Sequence, residues 1–167
     1  MRKFVACLAG RSTPLLGAMR IRPYRPSDQA AVLALQTNSD ADLAATVPGN
    51  FYDDLRSIET AYAKGAFVIA ESDDLIVGMG GLLPTGEIVR MRVDMKHRRK
   101  GIASRILDAL LLRARELGLG RVFLHTLSEQ RAAQQLYQAT GFVEVRRGEI
   151  HGNTVVAYEL DLRGDGA

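Results

Sequence analysis

Apolar positions along the chain change period several times, and each change marks an element. A short strand is predicted over 21–25. Pro26-Ser27-Asp28 then opens a helix whose Ala31, Val32 and Leu35 share one face. A loop over 39–50 ends at Pro48-Gly49-Asn50. Beyond it Phe51, Leu55, Ile58 and Tyr62 recur at 4-3-4 spacing, which predicts a second helix stopped at Gly65. Strands over 66–71 and 75–83 flank Ser72-Asp73-Asp74 as a hairpin. After the Pro84-Thr85-Gly86 turn, residues 87–94 alternate strictly. Ile88, Arg90 and Arg92 take one side, and Val89, Met91 and Val93 take the other. A long helix over 102–117 closes at Gly118, a strand spans 121–126, and a helix over 129–140 stops at Gly141. A hairpin of 142–147 and 154–161 turns through 148–153. The order β-α-α-β-β-β-α-β-α-β-β describes one mixed α/β domain, without repeats or linkers.

Composition narrows the class. The chain has 167 residues, 47% of them hydrophobic and 25% charged, which is ordinary globular usage and excludes collagen-like, coiled-coil and disordered readings. A single cysteine, Cys7, excludes a disulfide framework and a cysteine-based zinc site. His97, His125 and His151 lie too far apart in sequence to suggest ligand spacing, so no metal is expected. No apolar run approaches the roughly 20 residues of a membrane span, and a cytoplasmic protein without membrane partners is expected.

The charge is unevenly placed. Residues 1–18 carry Arg2, Lys3 and Arg11 and no acid. Their apolar stretch, from Phe4 to Ala9, is at or below the short end of a secretory core of about 7–15 residues. An acid-poor transit segment or a start site upstream of the natural Met19 fits better, and 1–18 is treated as an extension to a domain over 19–167. That domain holds 19 basic and 19 acidic residues, so the overall +3 belongs to the extension. Within it, 40–74 holds eight acids against Arg56 and Lys64, whereas 90–105 holds seven cations against Asp94. A nucleic-acid interface built on the basic block is not expected, because no aromatics are interleaved to stack bases.

The basic block coincides with a strand, a turn and a helix start: Val93-Asp94-Met95-Lys96-His97-Arg98-Arg99-Lys100-Gly101-Ile102-Ala103. Such an arrangement suits a phosphate. The first helical turn offers unpaired N–H groups and the positive end of the dipole. Gly101 lets the backbone approach a ligand, and Ala103 keeps the next position thin. Arg98, Arg99 and Lys100 add charge. The loop is neither a Walker A nor a Gly-x-Gly-x-x-Gly fingerprint. A plain turn with a solvated basic rim would read the same way.

A second segment, Gln130-Arg131-Ala132-Ala133-Gln134-Gln135-Leu136-Tyr137-Gln138-Ala139-Thr140-Gly141-Phe142, resolves the matter. Together with Glu87-Ile88-Val89-Arg90-Met91-Arg92-Val93 and the basic loop, it resembles the GNAT superfamily of acyl-CoA-dependent N-acetyltransferases. That family pairs Arg/Gln-x-x-Gly-x-Gly/Ala at a helix start with Ala-x-x-Leu-Tyr-x-x-x-Gly-Phe on a later helix. The likeness covers about residues 19–162. One departure is Gln130, where the family often has Asn.

The resemblance implies an acetyl-CoA cleft where strand 87–94 splays from strand 121–126. Backbone around Met91, Arg92 and Val93 would pair with the pantetheine arm. Amides over 98–103, from Arg98, Arg99, Lys100, Gly101, Ile102 and Ala103, would hold the pyrophosphate, with Gln130 and Ala133 completing the site. It also implies Tyr137 as the acid to the departing thiolate, since a phenol is protonated at neutral pH. Glu87 is expected as the base, directly or through water, with His125 as its rival and Glu129 as a helix N-terminal charge. Asp42, Asp53, Asp54 and Glu59 are expected to attract a cationic acceptor. The implied reaction is direct acetyl transfer to a small-molecule or peptide amine in a ternary complex. A non-catalytic acyl-CoA-binding module is the alternative. The exposed late hairpin offers an edge for a homodimer.

Overall fold

The computed structural model describes residues 19–39 and 50–164. In chain order the elements are β1 (Arg20–Pro23), α1 (Gln29–Ser39), α2 (Asp53–Arg56), α3 (Ile58–Ala61), β2 (Ala66–Ser72), β3 (Leu75–Leu82), β4 (Glu87–Val93), α4 (Ile102–Glu116), β5 (Arg121–Leu127), α5 (Arg131–Ala139), β6 (Val143–Ile150) and β7 (Asn153–Asp161). The strands form a single seven-stranded sheet ordered β1-β2-β3-β4-β5-β7-β6. Every neighbouring pair is antiparallel except β4 with β5.

Two apolar layers sandwich the sheet. On one face α4 buries Ile102, Ile106, Leu107, Leu110, Leu111 and Ala114 against β2, β3 and β4, together with Tyr137 and Phe142 from the α5 region. Each fully buried Leu or Ile stabilises by about 1.5–3 kcal/mol. Gly80 lets this helix come close, because a Cβ there would stand 2.6 Å from Ile106 and 2.8 Å from the Met91 sulfur. On the other face Val32 and Leu35 of α1 meet Leu55, Ile58, Tyr62, Phe67, Ile69 and Met79. Ala31, expected on that face, is exposed. β1 is tied down by charge: the Arg22 guanidinium donates to both Asp28 oxygens at 2.7 and 2.9 Å, and to Glu71 at 2.6 Å.

The single helix expected over 51–64 is two short ones. Ser57 leaves the helical region (φ −137°, ψ 46°), and its carbonyl accepts from Thr60 and Ala61 to begin a new turn. Leu55, Ile58 and Tyr62 are still buried, but Phe51 is 46% exposed. The Asp73-Asp74 hairpin turn has positive φ at both residues, the twist a two-residue turn needs. The last hairpin is longer than expected. Its turn is only His151-Gly152, so residues 148–150 are strand, and β6 is the exposed edge.

The strict alternation expected along β4 fails at one point. Gly78 and Met79 pair with Val93 and Arg92, whereas Gly81 and Leu82 pair with Val89 and Ile88. Arg90 and Met91 together face Gly80, which is a β-bulge, and Arg90 sits at φ +58°. Side-chain parity inverts there. Ile88, Met91 and Val93 pack on the α4 face, while Val89 lies on the α1 face and Arg90 reaches the α2 region.

Candidate active site

β4 and β5 are in register only at Glu87 with Phe123 and Ile88 with Leu124. Beyond those two pairs the strands part, and the gap opens two adjoining cavities. The first, of about 600 Å³, is lined by Met91, Arg92, Val93, Arg98, Arg99, Gly101, Ile102, Ala103, Gln130, Ala133 and Tyr137, all singled out from sequence. Lys100 is exposed and forms no part of its wall. His97, Ser104, Thr126 and Leu136 line it as well, and sequence reasoning did not find them. Helical periodicity could have revealed Leu136, one position before Tyr137; the others carry no local signal.

The end of this cavity near α4 presents the start of that helix. Gly101 is the N-cap of α4 at φ +74°, with no atom within 4 Å of where a Cβ would stand. The first-turn amides have no intrahelical acceptor. Asp94 shapes the preceding turn by accepting from the Lys96 amide at 3.0 Å and from His97 Nδ1 at 2.8 Å. The bond to His97 holds the Asp94 carboxyl below the ordinary carboxylate range. An open cradle of amides with arginines beside it fits a pyrophosphate.

Tyr137 closes the opposite part of the wall. It is 6% exposed, with its ring against Phe142 at 5.9 Å and Tyr158 at 6.2 Å. Burial pushes its hydroxyl up to about 12, with Arg92 pulling modestly the other way. Gln130, the N-cap residue of α5, accepts from the Thr126 hydroxyl at 2.8 Å, which fixes its amide at the cavity wall. Glu129 precedes α5 rather than lying in its first turn, because the helix begins at Arg131.

The second cavity, of about 550 Å³, lies beyond β4 and shares Ile88, Val89, Arg90, Arg92, His125, Thr126 and Gln130 with the first. Glu87 lines it, and His125 lines both cavities. The two expected rivals are in contact, with His125 Nδ1 3.2 Å from the Glu87 carboxylate. Of the acids expected to draw a cation, only Asp54 reaches this cavity, and it is already engaged. Arg90 donates to it at 2.6 and 3.0 Å, and the Tyr62 hydroxyl donates as well. Burial pushes the Asp54 carboxyl up, but these bonds outweigh it and hold the group below its ordinary value. The same burial and the bond to Asp54 push the Tyr62 hydroxyl far up. Asp53 pairs with Arg56 in solvent, Glu59 is exposed, and Asp42 lies outside the described residues, as does Cys7.

Arg90 also sits 4.9 Å from the Phe51 ring centroid and 5.0 Å from that of Tyr52. It therefore stitches the bulge to the aromatic pair ahead of α2. Ile150, His151 and Asn153 approach the cavity from the last hairpin. Beyond Asp54, Glu87, Arg90, Arg92, His125 and Gln130, this second wall carries no motif in the sequence.

Among the described residues no three His, Cys, Asp or Glu gather as metal ligands, and no helix is long and apolar enough to cross a membrane. Comparison with known proteins agrees with the fold. The chain is 35% identical over 101 residues to human N-acetyltransferase 8, covering 53% of this chain and 44% of that protein. It is 28% identical over 169 residues to N-alpha-acetyltransferase 60 of Drosophila melanogaster, covering 98% and 51% respectively. It thus spans about half the length of these curated relatives. A GNAT-family acetyltransferase structure from Staphylococcus aureus Mu50 superposes with a TM-score of 0.77 at 22% identity, over 87% of this chain and 99% of that one. A putative acetyltransferase of Salmonella typhimurium, solved with its cofactor acetyl-CoA, gives 0.74 at 20% identity, over 90% and 97%. The Acetyltransferase (GNAT) family model matches residues 32–142, and the chain belongs to that family.

Proposed function

We propose that residues 19–167 form an N-acetyltransferase domain that moves an acetyl group from acetyl-CoA directly to an amine within a ternary complex. The observation that carries this reading is the adjacency of the two cavities across the splayed strands, with His125 and Gln130 in the wall of both. Acetyl-CoA supplies an acetyl thioester, whose carbon–sulfur bond breaks as the amide carbon–nitrogen bond forms. The first cavity is its place, with the amides from residue 98 to 103 on the pyrophosphate and the unpaired edge of β4 beside the pantetheine arm.

The residues then divide the proton work. Glu87 and His125 act as a pair that takes the ammonium proton from the acceptor. With Nδ1–H donated to Glu87, the His125 Nε2 is left to accept. Tyr137 acts at the sulfur. A hydroxyl raised to about 12 stays protonated throughout the working range. Complete transfer to a thiolate of pKa about 8.5 would be uphill by roughly 5 kcal/mol. Tyr137 therefore stabilises the leaving sulfur by donating a hydrogen bond rather than by surrendering its proton, and the second proton that the nitrogen sheds as the amide forms neutralises the thiolate. Free thiol release from acetyl-CoA across a panel of amines tests the proposal. Turnover with at least one amine is expected. Tight CoA binding without turnover on any of them would replace it with a non-catalytic acyl-CoA-binding module.

A further inference from the structure

The acidic stretch of the sequence suggests attraction of a cationic acceptor, but the second cavity has the wrong chemistry for an acceptor with a further positive charge. Its lining contains two carboxylates, Asp54 and Glu87. Asp54 is neutralised by the two-pronged Arg90 contact and by Tyr62. Glu87 is held by His125, where the reacting amine must arrive. A second ammonium on the acceptor would find no uncommitted carboxylate in that lining, and would approach Arg90 and Arg92 instead.

The remaining wall carries Thr126, Gln130, His151 and Asn153, but no further charge, and much of it is apolar. Leu83, Val89 and Val155 line the interior, and two large side chains stand in solvent around it: Phe51 at 46% exposure and Ile150 at 53%. Phe51 precedes α2 and Ile150 ends β6, so the apolar side chains come from separate parts of the chain. Covering them removes apolar surface from water, which is favourable only if the incoming group is itself apolar. Phe51 is also fixed in place, since its carbonyl accepts from Arg90 and its ring lies under the guanidinium.

We infer that the acceptor is an amine flanked by an apolar substituent of about leucine size, received by Phe51 and Ile150 while the amine meets Glu87 and His125. This rests on the transferase reading for the amine end, but the apolar contact can be measured without turnover. Glycinamide, leucinamide, lysinamide and a tetrapeptide beginning with leucine would be compared in two ways: kcat/KM for thiol release, and calorimetric affinity for the CoA-loaded protein. Leucinamide should exceed glycinamide and lysinamide by roughly tenfold or more in kcat/KM, the discrimination an apolar pocket provides. Phe51→Ala and Ile150→Ala should each collapse that ratio, a change that general damage to the fold would not produce. Preference for the peptide over leucinamide would identify a polypeptide N-terminus as the source of the group, and the reverse a free small amine. Preferential binding of leucinamide without turnover would support the apolar contact while sinking the transferase reading. Equal kcat/KM and equal affinity for all three amides, or a preference for lysinamide, would overturn the inference.

Discussion

Replacing Tyr137 by Phe separates two accounts of how the leaving sulfur is handled. The substitution removes one oxygen and leaves the ring, which packs edge-on against Phe142 and tilted against Tyr158, so the fold around it should survive. A hydrogen bond to a charged acceptor contributes about 1.5–3 kcal/mol, which corresponds to a loss of roughly 10- to 150-fold in kcat. Obligatory proton transfer would cost more, up to about 10⁴-fold. Because burial holds the hydroxyl near 12, donation requires no prior ionisation. Wild-type kcat should therefore show no decline from tyrosine ionisation between pH 7 and about 10. Steady-state thiol release gives kcat, and calorimetry gives the CoA dissociation constant, which should change less than about twofold if Tyr137 acts chiefly as the reaction proceeds. Unchanged turnover would refute the role, as would a fall in CoA affinity equal to the fall in kcat. A loss beyond about 10³-fold would refute the hydrogen-bond account in favour of full protonation.

Glu87→Gln and His125→Ala should each reduce kcat by roughly 10²-fold, and the double variant by little more, because paired groups are not additive. A double variant losing the full product of the two would show that they act separately. Gly101→Val forces a β-branched residue into the left-handed region, at about 1–2 kcal/mol, and places its side chain in the anion cradle. CoA affinity measured by calorimetry should fall tenfold or more, and undiminished affinity would remove the cradle from the site. Asp28→Ala removes one of the two carboxylates that hold Arg22, leaving Glu71, and should cost about 1.5–3 kcal/mol in denaturant unfolding. The Arg22 hydrogen bonds lower the folded Asp28 pKa below its ordinary 3.8, so their stabilisation is complete above about pH 4 and fades as pH falls further. Asp28→Asn should flatten that acid limb, and an unaltered limb would assign it to other carboxylates.

What could be read from the chain follows from how local each feature is. The α4 start, the Gly-Phe end of α5 and Tyr137 rest on contiguous residues, whose periodicity and turn chemistry act within a few positions. The break at Ser57 and the bulge at Arg90 do not. Each answers to a partner far away in sequence: Asp54 lies 36 residues before Arg90, and their contact exists only after α2 docks on β4. The acidic stretch misled for the same reason, since charge counts cannot show that Asp54 is already neutralised. Glu87 and His125 looked like competitors because 38 residues separate them, although the parallel β4–β5 pairing brings them together. His151 and Ile150 reach the second cavity only because the last hairpin extends to a two-residue turn.

The inserted residue at Arg90 has a bearing on how this chain can change length. Upstream of it, even-numbered Ile88 faces α4; downstream, odd-numbered Met91 and Val93 do. Removing Arg90 alone would restore regular pairing with β3 and leave every face as it is, with Ile88, Met91 and Val93 still toward α4, but it would take away the contact with Asp54. Removing Arg92 with the bulge kept would instead set Val93 opposite Met79, turned away from α4. The Asp73-Asp74 turn, by contrast, joins two strand ends in solvent and can take up an extra residue without reassigning either face. Beyond that turn, a change of length in β4 keeps the frame only at the bulge itself, a constraint set within the folded sheet.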